Sequence, residues 1–387
     1  MTASDLVCLS HLRWGFVYQR PNHLMACASR DRRVFFVEEP ERGDGLDLRV
    51  RETDGVSVVV PILSADRPAA ADDAALSGLM KQLFASEGIE VPWLWYYTPM
   101  ALPWTRDLPR AATVYDCMDE LSAFRFAPPA LLALEQELLE TADVLFTGGR
   151  SLFEAKRDRH PNAYCFPSSV DAAHFGRARR PQPGPTDQAG IAHPRIGYFG
   201  VIDERIDLEL LAAVAAARPE WQLVMLGPLA KIEEADLPTA PNIHWLGRKA
   251  YGELPAYLAG WDVAIMPFAI SEATRFISPT KTPEYLAGGV PVVATPVADV
   301  VDPYGRTGLV SIAADPAGFV DAVEYALRAD PTDVIARADA LLGSQSWSRT
   351  WMAMSAIVEE QQKAPVARPR ARSGARSRSD SLAGTRR

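Results

Sequence analysis

The run SPTKTPEYLAGGVPVV at 278–293 places a lysine, a proline and a glutamate directly ahead of a valine-rich strand. Proline and threonine at a helix start are ordinary capping chemistry, and that accounts for Thr282 and Pro283. It requires neither Lys281 nor Glu284. A helix start also offers unpaired N–H groups and a partial positive charge where phosphate binds, and Thr280 and Lys281 stand at that start. A carboxylate one turn on, Glu284, can accept two hydrogen bonds from a ribose diol. On the residues alone, a plain cap and a nucleotide-diphosphate grip both stand.

RIGYFGVIDERIDLELL, from Arg195, holds a second candidate. Gly197 and Gly200 flank a strand end, where glycine lets a ligand approach the backbone, and Arg205 follows, able to bind a diphosphate bidentately. The alternative is a surface arginine paired with Asp203 or Glu204. Asp116 and Asp119, in YDCMDE, follow another apolar run and could orient or deprotonate a hydroxyl, or could simply cap the next segment. His11 and Arg13 lie in the loop after the first strand and could face the same cleft. Gln19, Arg20 and Pro21 read first as a helix start, with acceptor binding as the alternative. The aromatic run WLWYYTPMALPW, Trp93 to Trp104, reads as packing before it reads as a sugar platform.

Some chemistries are excluded by pattern. No Gly-x-Gly-x-x-Gly follows a strand, which argues against a nicotinamide dehydrogenase, and no Gly-x-x-x-x-Gly-Lys-Ser/Thr occurs, which argues against a P-loop ATPase. There is no Asp-x-Asp, and the six histidines have no ligand spacing, so no metal site is expected. A diphosphate leaving group would then be neutralised by Arg205, Lys281 and helix-terminal amides.

These residues need a scaffold that brings strand ends together. Short apolar runs alternate with helical patterns over the first 350 or so residues, the mark of parallel sheets covered by helices. A Pro- and Gly-rich stretch without periodicity, 176–194, reads as a linker. The expected fold is α/β: two tandem Rossmann-like, doubly wound domains facing a cleft, with ligands beyond the carboxyl ends of the strands. The expected divisions are 1–180, 181–346, a C-terminal helix at 347–362 that could cross back to the first domain, and a tail at 363–387. A single helical region is expected over 316–342.

The formal charge of −9 is unevenly spread, because 363–387 holds eight Lys or Arg against one Asp, a local +7 that leaves about −16 for the body. An acidic body argues against nucleic acid as a partner. The tail is expected to be disordered and solvated, with peripheral contact to an anionic membrane as the alternative. Four scattered cysteines and the lack of a signal-like or membrane-spanning run fit the cytoplasm, with the inner face of the cell membrane as the place expected if the tail meets lipid.

The chain resembles the GT-B glycosyltransferases, specifically the family 4 type often described as glycosyltransferase family 1 proteins. The resemblance runs to about Gln362 and is carried most specifically by GYFGVIDERIDLELL, PNIHWLGRKAYGELPAYLAGWDVAIMPF and SPTKTPEYLAGGVPVVATP. It implies a nucleotide-diphosphate sugar, most readily a UDP-hexose, on the C-terminal domain. Arg205 and Lys281 would hold the diphosphate, Glu284 the ribose, and Arg248 would lie near the base. The N-terminal domain would hold a glycan or lipid-linked acceptor, in cell-envelope or exopolysaccharide synthesis. No cofactor or metal is implied, and retention at the anomeric carbon is. The chain departs from the family at Phe276, where the first of two paired glutamates would stand. Glu272, or a backbone amide near Ser278, could substitute. A sugar-nucleotide epimerase and a non-catalytic sugar-nucleotide or glycan binder are the alternatives.

Overall fold

The computed structural model describes residues 4–363. Of the tail read at 363–387, Lys363 is the last residue of the final helix, and 364–387 lie outside the described residues. The first sheet has nine strands: β1 (Leu6–Leu9), β2 (Val34–Val37), β3 (Glu41–Gly43), β4 (Asp47–Thr53), β5 (Val56–Ser64), β6 (Trp93–Tyr96), β7 (Ala112–Cys117), β8 (Val144–Thr147) and β9 (Ala163–Cys165). Their order is β3-β5-β2-β1-β6-β7-β8-β9, parallel throughout, with β4 antiparallel on β5. The second sheet comprises β10 (Arg195–Phe199), β11 (Gln222–Leu226), β12 (Ile243–Gly247), β13 (Val263–Met266), β14 (Val292–Ala294) and β15 (Ser311–Ile312), in the order β12-β11-β10-β13-β14-β15.

Runs such as LVCL, VFFV and VAIM are buried along their whole length, as expected where helices cover both faces of a parallel sheet. Each sheet reverses its winding beside its first strand: β1 pairs with β2 and β6, and β10 with β11 and β13. Such switch points open crevices at the carboxyl ends of the strands. The loops after β1, β10 and β13 are therefore the ones positioned to meet ligand.

Three expectations need correction. β3 and β4 are absent from the sequence reading, because β4 (DLRVRET) is polar and largely exposed and offers no apolar run. The helical stretch 316–342 is two helices, Pro316–Arg328 and Thr332–Leu342, separated at Pro331, whose ring and missing N–H stop a continuous helix. The linker is docked: buried Gln188 donates to the Tyr257 carbonyl at 3.1 Å and accepts from the Trp261 indole at 2.9 Å.

The last helix, Trp347–Lys363, lays Trp351, Met354 and Val358 on the core of the first domain, with Trp351 5.7 Å from the Trp95 ring. Arg32 stacks its guanidinium 3.9 Å over Trp93 on the same face. The aromatic run from Trp93 is thus core, with Trp93, Trp95, Tyr96 and Tyr97 almost fully buried. No helix among the described residues is long and apolar enough to cross a membrane.

Candidate functional site

The helix Lys281–Gly288 is fixed from below. Its Tyr285 hydroxyl accepts from the Phe199 amide at 3.0 Å, tying the helix to the end of β10. Thr282 and Pro283 are buried, and Gly289 closes the helix in the left-handed region. Thr280 is the N-cap residue but makes no side-chain cap bond, so the usual capping interaction is missing at this start. Immediately after β10, Gly200 has φ +149, and a Cβ there would overlap the Lys281 side chain and sit 2.8 Å from the Tyr198 hydroxyl. Glycine at 200 is what allows Lys281 to lie across the strand end.

Gly200, Arg205, Thr280, Lys281 and Glu284 all line one cavity of about 400 Å³ between the two domains, a size suited to a small ligand. Arg248 stands at its rim and its Nη2 donates to the Gly15 carbonyl of the first domain. Burial drives the Glu284 carboxyl up to about 7, against the pull of Lys281. Burial likewise lowers the Lys281 ammonium, which Glu284 opposes. Each charge is costly where it stands. An incoming anion would favour the lysine, and hydroxyl donors would favour the carboxylate.

Arg205 is not free. It forks onto Asp203, with Nη2 to Oδ2 at 2.6 Å and Nε to Oδ1 at 3.0 Å, and lies 5.2 Å from the Phe124 ring of the first domain. Burial disfavours its charge, but the Asp203 bonds and charge outweigh that and hold the guanidinium firmly protonated. The pairing seen as the alternative in sequence is present, in a residue that also lines the cavity.

On the opposite wall the three candidates separate. Asp119 reaches the cavity, and burial raises its carboxyl to about 6, with Arg205 drawing it down and Asp203 pushing it up. Asp116 does not reach it. It is fully buried within β7 and takes Arg20 through Nη2 at 2.9 Å and Nε at 3.1 Å, while Arg20 Nη1 donates to the Phe166 carbonyl at 2.7 Å. The catalytic role expected of Asp116 is therefore corrected to a structural ion pair. His11 also stays outside the cavity lining; burial lowers its imidazole to about 4, and its Nδ1 has no partner. That correction follows from the loop after β1, which turns its Trp14–Gln19 portion toward the cavity instead.

Phe276 packs against the core of the first domain, with Arg275 5.1 Å from its ring. Glu272 is largely exposed, pairs with Arg275 at 3.6 Å and does not line the cavity, so it does not stand in for the missing glutamate; Ser278 does line it. Sequence reasoning missed Tyr18 and Tyr251, stacked at 4.6 Å across the domains at the cavity wall, with His174 stacked on Tyr251 at 4.2 Å. An aromatic placed directly after the Arg248 loop was the available signal. Arg51 and Thr53, also in the lining, lie on the unforeseen β4. No cluster of metal-ligating side chains occurs among the described residues.

Two doubly wound domains closing on a cavity of this kind make the GT-B fold of glycosyltransferases, as the sequence resemblance implied. Residues 193–329 match the family model described as "Glycosyl transferases group 1". Over 103 residues the chain is 32% identical to the putative teichuronic acid biosynthesis glycosyltransferase TuaH of Bacillus subtilis (strain 168); the match spans 26% of either protein. Among solved structures, the E. coli trehalose-6-phosphate structure bound with UDP-2-fluoro glucose superposes with a TM-score of 0.67 at 12% identity, covering 94% of this chain and 100% of that one. Anabaena HepE in complex with UDP and glucose gives 0.66 at 14% identity, covering 92% and 99%. At such identities the likeness is one of fold.

Proposed function

We propose that the protein transfers a hexose from a nucleotide diphosphate, UDP first among them, to an acceptor hydroxyl in cell-envelope or exopolysaccharide synthesis at the cytoplasmic side of a bacterial membrane. The observation that carries this is the convergence of Lys281, Glu284, Arg205 and Gly200 on one wall of a cavity whose other wall presents Asp119. Lys281 and the amides of its helix start take the diphosphate, Arg205 adds charge while Asp203 orients it, and Glu284 accepts from the ribose. As the glycosidic bond breaks, the same cations stabilise the leaving diphosphate without a metal. Asp119, with a carboxyl near 6, is a base matched to neutral pH for the acceptor hydroxyl. Retention is the outcome the family resemblance implies, and proton NMR of the product's anomeric coupling tests it.

A nucleotide-sugar binder without turnover is the second reading, favoured by Phe276 in place of the glutamate. Incubation with labelled UDP-hexoses, with and without a bacterial membrane extract as acceptor source, separates the readings. A transferase moves label only when acceptor is present. Conversion of the donor alone would mean an epimerase, and saturable binding with no product would mean the binder.

A further inference from the structure

The helix Arg150–Lys156 in the first domain starts from Gly149, which has no side chain to accept the first-turn amides. The acceptor comes from the other domain. Asp299, 7% exposed, places Oδ1 2.9 Å from the Ser151 amide across 148 residues of sequence. A Cβ at 149 would overlap the Asp299 carboxylate and lie 2.7 Å from Ser278 Cβ, so glycine is what lets the domains touch here. Ser278 also accepts through its carbonyl from Ser168 Oγ at 3.4 Å, and it lines the donor cavity three residues before Lys281. The contact between domains and the turn that starts the Lys281 helix thus share a segment.

Burial raises the Asp299 carboxyl, and the Ser151 and Arg150 amides with the Ser151 and Ser278 hydroxyls draw it down, so the groups around it come from both domains.

We propose that Asp299 is a positioning residue, a carboxylate of one domain that caps a helix of the other, sets the angle between them and thereby places the Ser278–Lys281 turn. Its effect on nucleotide binding rests on the donor reading above; its effect on the domain angle does not.

The test is a spin-label distance measurement on the full chain, with Cys165→Ser to remove the accessible thiol and labels at Glu87→Cys and Asp321→Cys, one in each domain, without ligand. The parent should give one narrow distance. Asp299→Ala and Gly149→Ala should each broaden it and add a longer one. Asp299→Asn, which keeps the Oδ1 acceptor, should restore the narrow distance, a rescue that a merely stabilising residue would not produce. A narrow distance unchanged in Asp299→Ala, or Asp299→Asn opening as far as alanine, overturns the proposal. Should the alanine variant fail to fold, Gly149→Ala decides alone: unchanged distances contradict the proposal and a second distance supports it. Titration with UDP is then the separate arm, in which Asp299→Ala should weaken binding several-fold. If UDP fails to bind even the parent, the donor reading falls and the distance result stands.

Discussion

The two walls of the cleft carry their charges differently. On the C-terminal wall, Gly200 and Arg205 come from the loop after β10, Lys281 and Glu284 from the helix that follows the adjacent strand β13, and all line the cavity. On the N-terminal wall, Asp116 and Asp119 stand three residues apart and meet opposite fates: one is sealed against Arg20, the other reaches the cavity. Charges placed beyond a strand end can line the cavity, even where a protein partner holds them as Asp203 holds Arg205, whereas a charge still inside a buried strand is sealed away from it. The difference between the walls is one of where the strand stops.

That contrast is broken most forcefully at Asp116. Asp116→Ala strands the buried Arg20 guanidinium and should cost about 3–5 kcal/mol of stability, read by chemical denaturation. Asp119→Asn should not lower the denaturation midpoint, since burial already disfavours the charge it removes, and should lower the transfer rate by about a hundred- to ten-thousand-fold, with donor affinity kept. Equal destabilisation by the two would erase the distinction between them.

A pH profile sharpens the donor side. Burial raises the folded-state Glu284 carboxyl above its unfolded value, so the group's contribution to stability is full below about 4.5 and is lost as pH rises through about 7. Thermal stability of the ligand-free protein should therefore fall across that interval, and Glu284→Gln should flatten the slope. The smallest effect belongs to Phe124, whose ring contributes about 0.5–1 kcal/mol to holding Arg205, so Phe124→Ala should change UDP affinity only a few-fold.

What the sequence made legible follows the same line. Lys281, Glu284 and Gly200 were readable because local chemistry, a helix start beside a strand end, is written in consecutive residues. Asp116 and Asp119 were not separable, since deciding between them needs the end of β7 and the arrival of Arg20 from 96 residues away. β4 was invisible because a charged edge strand has no apolar signature, and with it went Arg51 and Thr53. The Asp299–Ser151 contact and the Tyr18–Tyr251 stack arise only when two domains meet, and no local pattern encodes that meeting.

The central claim is that the C-terminal wall grips a diphosphate. It is tested most directly by calorimetric titration of UDP and of uridine into the parent protein and into the Arg205→Ala, Lys281→Ala double variant. Each charge-assisted bond contributes about 1.5–3 kcal/mol, so the parent should prefer UDP to uridine by well over tenfold and the double variant should lose most of that preference. UDP binding that survives both substitutions undiminished would place the diphosphate elsewhere and leave Lys281 as no more than the start of a helix.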